Sequence, residues 1–249
     1  MEQSTPKNSA GVKSERHGFC DLYPRFLETT ETVPSANRLN ARHRAIIEWN
    51  AGILPGQRVL DIGSHDGRWS FGALKRGALH VTGIEARRHL VEKAVSNFSF
   101  YGIPATSYGF IANEALSAMR ALPASNFDVV MCLGFFYHTM DHMAILLEAR
   151  RLGAKHIIVD TGVTRDGDVL IRLSLEPIDD TRNSVDYSRT GRSHALVGTP
   201  SRSALIAMLS HAGYDVEFFD WHDANVEDWS DIQEYRDGTR TTLRASLPA

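Results

Sequence analysis

The chain has 249 residues, 43% of them hydrophobic and 23% charged, which is enough for one large domain with a full core. Its 27 basic and 30 acidic residues give a net charge of −3, which argues against a general nucleic-acid-binding surface. Two cysteines exclude a disulfide framework and a cysteine-based zinc site, and no apolar run is long enough to span a membrane. We therefore expect a soluble cytoplasmic protein without a signal peptide.

Strand and helix patterns alternate along most of the chain. Residues 1–18 are polar and without an apolar period, which predicts a mobile tail. Strands are predicted over 57–62, 78–85, 108–111, 127–133, 155–160, 169–175, 214–221 and 239–245. Helices are predicted over 40–49, 69–76, 89–101, 113–122 and 140–152. Apolar strands that alternate with helices predict an α/β fold with a parallel sheet covered on both faces.

The region 176–198 has no clear periodicity. It contains several cationic and aromatic side chains, namely Arg182, Tyr187, Arg189, Arg192 and His194. Long connections in compact domains are often functional, so we predict a substrate lid here, with a plain surface loop as the alternative. Thr199 and Pro200 then have the pattern of a helix N-cap and first helical residue, and Gly213 predicts the end of that helix. Since neither a repeat nor a second core is evident, we expect a single domain over 19–249.

A loop with two glycines follows the first predicted strand. Residues 59–69 read VLDIGSHDGRW, so the strand ends in a turn that leads into a helix. Small residues there allow a ligand to approach the backbone, and the helix N-terminus offers free N–H groups. A nicotinamide-binding fingerprint needs G-x-G-x-x-G, but His65 and Arg68 stand at its second and third glycine positions. That class of site is therefore excluded.

The second predicted strand ends in an acidic residue, Glu85. An acid at this place can accept both hydroxyls of a ribose that lies across the strand tips. The Asp-x-Gly-x-x-x-Gly loop together with Glu85 resembles class I S-adenosylmethionine-dependent methyltransferases, over about residues 57–163 and more weakly to Trp221. The resemblance implies a Rossmann-like fold, with a mostly parallel seven-stranded sheet and helices on both faces, and S-adenosylmethionine as cofactor.

The resemblance also implies which residues would bind the cofactor. The implied set is Asp61, Gly63, Ser64, His65, Gly67, Glu85, Ala86, Ile111, Ala112, Leu133 and Arg38. In this assignment Asp61 and Gly63 border the amino-acid part and Glu85 holds the ribose. The adenine would lie near residues 110–113. The alternative is that the glycines only turn the chain and that Glu85 is solvated.

Two other features of the cofactor site follow from the same resemblance. Many family members have an acidic residue after the third strand for the adenine amine, and here the candidates are Asn113 and Glu114. The segment 19–50 would cap the cofactor, and Arg38 or Arg42 in it would pair with the cofactor carboxylate. A solvated helix face is the alternative for these arginines.

The segment after the fourth predicted strand is the expected place of the chemistry, by the same resemblance. The Asn-Pro-Pro-Tyr or Asp-Pro-Pro-Tyr typical of amino-group methylation is absent, and Tyr137 and His138 stand there instead. Methyl transfer is an in-line displacement, so catalysis is mainly positioning plus removal of the acceptor's proton. Neutral histidine suits that task at cytosolic pH. We predict His138 as general base and Tyr137, Asp141 and Asp160 as orienting groups, with a purely structural His138 as the alternative.

A bound metal is a separate possibility. Catechol-type O-methyltransferases bind Mg²⁺ through carboxylates beyond the fourth and fifth strands, and Asp141 and Asp160 occupy comparable places. The usual Asp-Asn pair at the fifth strand is Asp160-Thr161 here. The spacing of His138, His142 and Asp141 is not diagnostic of zinc. We therefore predict no metal and keep Mg²⁺ as an alternative.

Three interpretations of the function remain open at this point. The strings at 134–138 and 199–201 resemble enzymes that modify a wobble uridine in transfer RNA. The strings at 23–26, 37–40 and 235–238 resemble actinobacterial sugar O-methyltransferases of methylmannose polysaccharide synthesis, which implies a mannoside hydroxyl as acceptor. A cofactor-binding subunit without activity is the third interpretation. We favour the sugar, as a homodimer with neither a nucleic-acid nor a membrane partner.

Overall fold

The computed structural model describes residues 18–179, 182–185, 191–224 and 226–248. The predicted N-terminal tail thus lies almost wholly outside the described residues, as do Tyr187 and Arg189 of the predicted lid. Within the described part of the chain, no helix has the length and apolar character that crossing a membrane requires.

The described residues form nine strands in two sheets. They are β1 (Arg58–Ile62), β2 (His80–Glu85), β3 (Tyr108–Ala112), β4 (Val129–Leu133), β5 (His156–Gly162), β6 (Ile171–Pro177), β7 (His194–Pro200), β8 (Asp215–Phe218) and β9 (Arg240–Ser246). Seven of them form one sheet in the order β3-β2-β1-β4-β5-β9-β8, and β6 pairs with β7 in a separate hairpin. Strands β1 to β5 are parallel, whereas β9 runs antiparallel to both β5 and β8. The predicted seven-stranded, mostly parallel sheet is confirmed.

Helices connect the strands of the large sheet. They are α1 (Phe19–Leu22), α2 (Arg25–Thr29), α3 (Ala36–His43), α4 (Arg68–Lys75), α5 (Arg88–Phe100), α6 (Ala115–Ala121), α7 (His142–Arg151), α8 (Arg202–His211) and α9 (Gln233–Arg236). The four helices predicted between β1 and β5 are confirmed within two residues at each end. The helix predicted over 40–49 begins earlier, because the Ser35 hydroxyl accepts from the Arg38 N–H at 3.1 Å and caps α3. From Arg44 to Glu48 its hydrogen bonding is that of a π-helix.

The sheet has an apolar layer on each face. Side chains of β1 alternate between the two layers, since successive residues of a strand point to opposite faces. Leu60 and Ile62 belong to the cluster that contains Met119 of α6, while Val59 belongs to the cluster that contains Phe71 of α4. All five side chains are fully buried. This packing fixes the carboxyl ends of the parallel strands, where the candidate site lies.

The region after β5 departs from the sequence prediction. Thr199 and Pro200 do not begin a helix but end β7, where Pro200 pairs with Ile171 of β6. A proline is tolerated at a strand end because it leaves few ladder bonds unmade. The helix N-cap is Ser201, whose hydroxyl accepts from the Ala204 N–H at 3.0 Å. The predicted lid is thus partly a β-hairpin.

Candidate functional site

The carboxyl ends of the central parallel strands open on a cavity of about 300 Å³. Several residues predicted to be functional line it together: Arg38, Gly63, His65, Glu85, Ala86, Leu133, Tyr137 and His138. Other predicted residues lie behind this wall: Asp61, Ser64, Gly67, Ile111, Ala112, Asp141 and Asp160. The cavity therefore brings together eight of the fifteen residues that the sequence names for the site, and the other seven do not line it.

The loop after β1 is held against the end of β2. The Gly63 N–H donates to the Ile84 carbonyl at 2.9 Å, and Gly63 has a φ of +69°. A Cβ atom at Gly63 would lie 3.2 Å from the Phe135 ring, so glycine allows both the backbone turn and this close contact. His65 also has a positive φ of +53°, which is uncommon for a residue with a side chain. That conformation directs its N–H to Glu85 Oε2 at 3.1 Å.

Glu85 presents a fixed carboxylate to the cavity. Its Oε2 accepts from the His65 N–H, and its Oε1 accepts from the Arg87 N–H at 2.9 Å. The residue is 6% exposed and lines the cavity wall. Each carboxylate oxygen accepts more than one hydrogen bond, so both oxygens can take a further donor from a ligand. This arrangement fits a ribose diol, as predicted for Glu85.

Asp61 lies beneath the loop rather than on its surface. It is 1% exposed, and its Oδ2 accepts from the Ser70 hydroxyl at 2.7 Å. Its Oδ1 has no hydrogen-bond partner among the described residues, and the same holds for the buried Ser64 hydroxyl. Burial, with a smaller contribution from the charge of Glu85, raises the pKa of Asp61 to about 7. Asp61 therefore supports the loop from below.

Gly67 has a structural role in this arrangement. It precedes α4 with a φ of +81°, and a Cβ atom there would lie 2.9 Å from the Phe98 ring. His65 and Arg68, which stand where a nicotinamide-binding loop would have glycines, form a polar network instead. The Arg68 Nη2 lies 2.7 Å from His65 Nδ1, and its Nε donates to Asp66 Oδ1 at 2.7 Å. Arg68 also lines the cavity, although the sequence patterns did not indicate a functional role for it.

The wall beyond β3 is formed slightly later in the chain than predicted. Asn113, Glu114 and Ala115 line the cavity, in place of Ile111 and Ala112. The Glu114 carboxylate caps α6 and accepts from the N–H groups of residues 116 and 117 at 2.8 Å each. Of the two adenine candidates, Asn113 and Glu114, the second is thus already engaged as a helix cap.

Asp160 is a buried ion-pair centre. Its Oδ1 accepts from Arg42 Nη2 and from Arg240 Nε, each at 2.8 Å. Its Oδ2 accepts from the hydroxyls of Tyr235 and Thr242, each at 2.8 Å. Burial alone would raise the pKa of Asp160, but the guanidinium groups of Arg240 and Arg42 hold it well below its usual range. Asp160 thus orients two arginines instead of touching the cavity.

The residues present do not fit the magnesium alternative. Both oxygens of Asp160 are taken by cations and hydroxyls, and Asp141 sits at the start of α7 away from the cavity wall. His142 is buried with its Nε2 3.0 Å from the Gly198 carbonyl, and it does not share the cavity wall with His138. Over the described ranges, no group of three or more His, Cys, Asp or Glu side chains is placed to hold a metal ion.

The strongest chemical feature beside the cavity is a His–Glu pair, of which His138 lines the wall. His138 Nδ1 lies 2.7 Å from Glu176 Oε2, and both side chains are largely buried. His138 follows β4, whereas Glu176 belongs to β6, so the hairpin brings the two together. The sequence predicts a functional role for His138 but not for Glu176, which lies at the boundary of the predicted lid. The only signal for it was the alternation of the strand over 169–175, continued by one residue.

Comparisons with known proteins agree with this geometry. The family model described as "Methyltransferase domain" matches residues 59–155. The ubiquinone biosynthesis O-methyltransferase of Histophilus somni is 30% identical over 116 residues, which is 47% of this chain and 48% of that protein. The tRNA U34 carboxymethyltransferase of Alteromonas mediterranea is 25% identical over 196 residues, which is 74% of this chain and 54% of that protein.

A solved structure extends the comparison over most of the chain. The N-terminal domain of EvdMO1, crystallised in the presence of SAH and D-fucose, superposes with a TM-score of 0.59 at 20% identity. The superposition covers 83% of this chain and 82% of that one. The chain spans about half the length of the curated relatives it matches. Residues 59–155 therefore match a methyltransferase domain, and the chain has the Rossmann-like fold of the class I S-adenosylmethionine-dependent methyltransferases.

Proposed function

We propose that this protein methylates a hydroxyl group of a small acceptor, with S-adenosylmethionine as methyl donor and His138 as general base. The observation that supports this most directly is the 2.7 Å contact between Glu176 Oε2 and the Nδ1 of His138, which lines the cavity. An alcohol is a weak nucleophile until a base removes its proton. A histidine oriented by a carboxylate is suited to that step.

The pair selects the tautomer of a neutral His138 ring. The Glu176 carboxylate accepts the hydrogen bond of Nδ1–H, so the neutral ring has its lone pair on Nε2. In this proposal Nε2 takes the proton of the acceptor hydroxyl, and Glu176 stabilises the imidazolium that forms. Glu176 is itself held in place, because its Oε2 also accepts from the Ser184 N–H at 3.0 Å.

The cofactor would lie on the side of the cavity formed by β1 and β2. Glu85 would hold the ribose, the Gly63 loop would border the amino-acid part, and Leu133 would lie at the tip of β4. Bound there, S-adenosylmethionine supplies a methyl group on a sulfonium, ready for in-line displacement. The chain's own contribution is to hold the acceptor against that methyl group and to remove one proton.

The names of the relatives bear on the acceptor. Six of the curated relatives are ubiquinone biosynthesis O-methyltransferases, which supports oxygen as the acceptor atom. The predicted sugar, in particular a mannoside, is not favoured by these names. The D-fucose present with EvdMO1 is the one observation that keeps sugars among the compounds to test. We therefore propose a small hydroxylated acceptor.

Modification of transfer RNA is a second candidate. The observation that favours it is the match to a tRNA U34 carboxymethyltransferase over 74% of this chain. Against it stands the net charge of −3, since a duplex or loop of RNA is bound largely through phosphate contacts. A band-shift titration with total transfer RNA separates this candidate from a small acceptor.

Calorimetric titration with S-adenosylhomocysteine (SAH) tests the first step of the proposal. Micromolar binding would support the cofactor assignment and justify a labelled-methyl assay with catechols, phenols, hydroxy acids and sugars. Each positive acceptor would then be assayed with His138→Ala. Absence of SAH binding, or turnover that does not depend on His138, would contradict the proposal.

A further inference from the structure

The ion-pair centre at Asp160 contains more positive than negative charge. One carboxylate accepts from two guanidinium groups, those of Arg42 and Arg240. Its other partners, Tyr235 and Thr242, are neutral hydroxyls. Both arginine side chains are only 9% exposed, and Asp160 is completely buried. A buried unit charge without a partner is costly, so this centre lacks one negative group.

The surplus charge faces the cavity. Arg42 and Arg240 both line its wall, and the Nε of Arg42 is buried without a hydrogen-bond partner in the described part of the chain. Gly134 lines the cavity beside both of them, since a Cβ atom there would lie 3.5 Å from Arg240 Nη2 and 4.0 Å from Arg42 Nη2. An anion in the cavity can therefore reach both guanidinium groups.

The described cavity wall does not supply that anion itself. Its carboxylates are Glu85 and Glu114, which accept from backbone N–H groups, as described above. Against these two, six arginines line the same wall: Arg38, Arg42, Arg68, Arg87, Arg182 and Arg240. Arg38 pairs with Glu234 and Arg68 pairs with Asp66, both outside the wall. The surplus positive charge therefore lies on Arg42 and Arg240, which share the one carboxylate of Asp160, and it raises the local concentration of an anionic ligand.

Arg240 lies on the side of the cavity away from the loop after β1. It begins β9 and pairs with Gly162 at the end of β5. Its guanidinium carbon lies 5.5 Å from the centre of the Tyr137 ring. Tyr137 precedes His138, so Arg240 and the proposed base belong to the same part of the wall. The acceptor, not the ribose, would occupy this part.

We propose that Arg42 and Arg240 bind an anionic group, a carboxylate or a phosphate, on the methyl acceptor while its hydroxyl faces His138. The proposal rests on the proposed function and narrows its acceptor class to hydroxylated acids or phosphates. Guanidinium groups recognise such groups through charge-assisted and often bidentate hydrogen bonds. The pair would set acceptor specificity, since a neutral acceptor leaves the surplus charge uncompensated.

Benzoate and benzyl alcohol form a matched pair of probes, since they differ mainly in charge. We would titrate each by calorimetry into protein saturated with SAH. Benzoate should bind at least about 10-fold more tightly than benzyl alcohol, which corresponds to about 1.4 kcal/mol. Arg240→Gln should abolish that preference. Arg244→Gln is the matched control, because Arg244 lies on the same strand but pairs with Glu217 outside the cavity.

A second variant covers the case in which Arg240→Gln does not fold. Arg42→Lys keeps the charge beside Asp160 but removes the planar guanidinium group and its several donors, so it should weaken benzoate binding while SAH binding remains. Equal binding of the two probes would overturn the proposal. Benzoate binding that SAH displaces would also overturn it, because the pair would then hold the cofactor's own carboxylate. Absence of SAH binding, by contrast, would count against the proposed function itself.

Discussion

His138 Nδ1 and Glu176 Oε2 lie 2.7 Å apart, although His138 follows a strand of the large sheet and Glu176 belongs to the separate β6–β7 hairpin. His138 ends the short 3₁₀ turn after β4, and Glu176 lies near the end of β6. The chain after β6 makes a second contact across the cavity, where Arg87 Nη2 donates to the Asn183 carbonyl at 2.7 Å. Strand β6 and the segment that follows it thus join the two sides of the cavity wall.

The contact between His138 and Glu176 predicts that substitutions at the two residues have non-additive effects on turnover. His138→Ala should lower kcat by roughly 100-fold or more, because a general base contributes about that factor. Glu176→Gln should lower kcat by roughly 10-fold, since the amide holds the imidazolium less strongly. The double variant should be no slower than His138→Ala alone, because Glu176 acts through His138. Steady-state kinetics with labelled methyl donor measure all three.

The affinity for SAH is the companion readout for these variants. Neither residue belongs to the proposed ribose site, so the Kd should change less than about 2-fold. His194→Ala serves as the control, since His194 is an exposed histidine at the start of β7. A double variant much slower than His138→Ala would show that Glu176 acts independently of the base.

Glu85 should control cofactor affinity. Glu85→Ala removes a carboxylate that two backbone N–H groups hold at the cavity wall, so the Kd for SAH should rise by at least roughly 10-fold. Glu114→Gln is the matched control, because Glu114 lines the same cavity but caps α6. That control should lower Tm and leave the Kd for SAH nearly unchanged. Equal affinity of the wild type and Glu85→Ala would remove Glu85 from the ribose site.

Much of the central sheet could be predicted from sequence, because its strands are buried on both faces and read as short apolar runs between helices. The glycine-bearing loop and Glu85 indicate one half of the cavity from sequence, since both lie at the ends of predicted strands. The β6–β7 hairpin was harder to predict. Strand β6 is predicted by the alternation over 169–175, but β7 is not, because Thr199 and Pro200 at its end have the pattern of a helix N-cap and first helical residue.

Contacts between distant segments were beyond the reach of sequence patterns. Asp160 stood at a strand end, where a resemblance suggested a ligand-facing carboxylate. Its actual partners, Arg42 and Arg240, lie 118 and 80 positions away from it along the chain. Glu176 is likewise 38 positions from His138. These charged residues are visible in the sequence, but only the folded positions of α3 and β9 show which of them pair.

Removal of divalent metal ions should leave the activity unchanged. The two oxygens of Asp160 accept from arginines and hydroxyls, so this carboxylate is not available to Mg²⁺. Dialysis against EDTA should therefore change kcat by less than about 2-fold, within the scatter of such assays. Restoration of lost activity by added Mg²⁺ would contradict this and would require carboxylates other than Asp160.

The two thiols should be unreactive in the folded protein. Burial raises the pKa of Cys20 to about 12 and raises the pKa of the buried Cys132 even further. Since the thiolate is the reactive form, iodoacetamide at pH 8 should label neither thiol until a denaturant is added. Mass spectrometry of intact protein measures this. Rapid alkylation of Cys132 without denaturant would show that the layer around β4 opens.

Asp61 should make the free energy of unfolding depend on pH. Its pKa is about 7 in the folded protein, against an ordinary value of 3.8. Between about pH 4 and pH 7 the unfolded chain therefore releases a proton that the folded protein keeps, so stability falls as the pH rises through this window. Because the asparagine of Asp61→Asn cannot ionise, the free energy of unfolding of this variant should not fall in this way. Its free energy of unfolding, relative to wild type, should be higher at pH 7.5 than at pH 4.5, by on the order of 3 kcal/mol.

Urea unfolding of both proteins at the two pH values measures this difference, because the contributions of all other titrating groups cancel between them. Asp215→Asn is the control, since Asp215 is an exposed aspartate of β8, and its difference from wild type should not change with pH. The asparagine also keeps an acceptor for the Ser70 hydroxyl and places its amide near the unpartnered Oδ1 position. A difference between Asp61→Asn and wild type that is the same at both pH values would show that Asp61 is ionised throughout. The charge would then require a cation or a donor under the loop after β1.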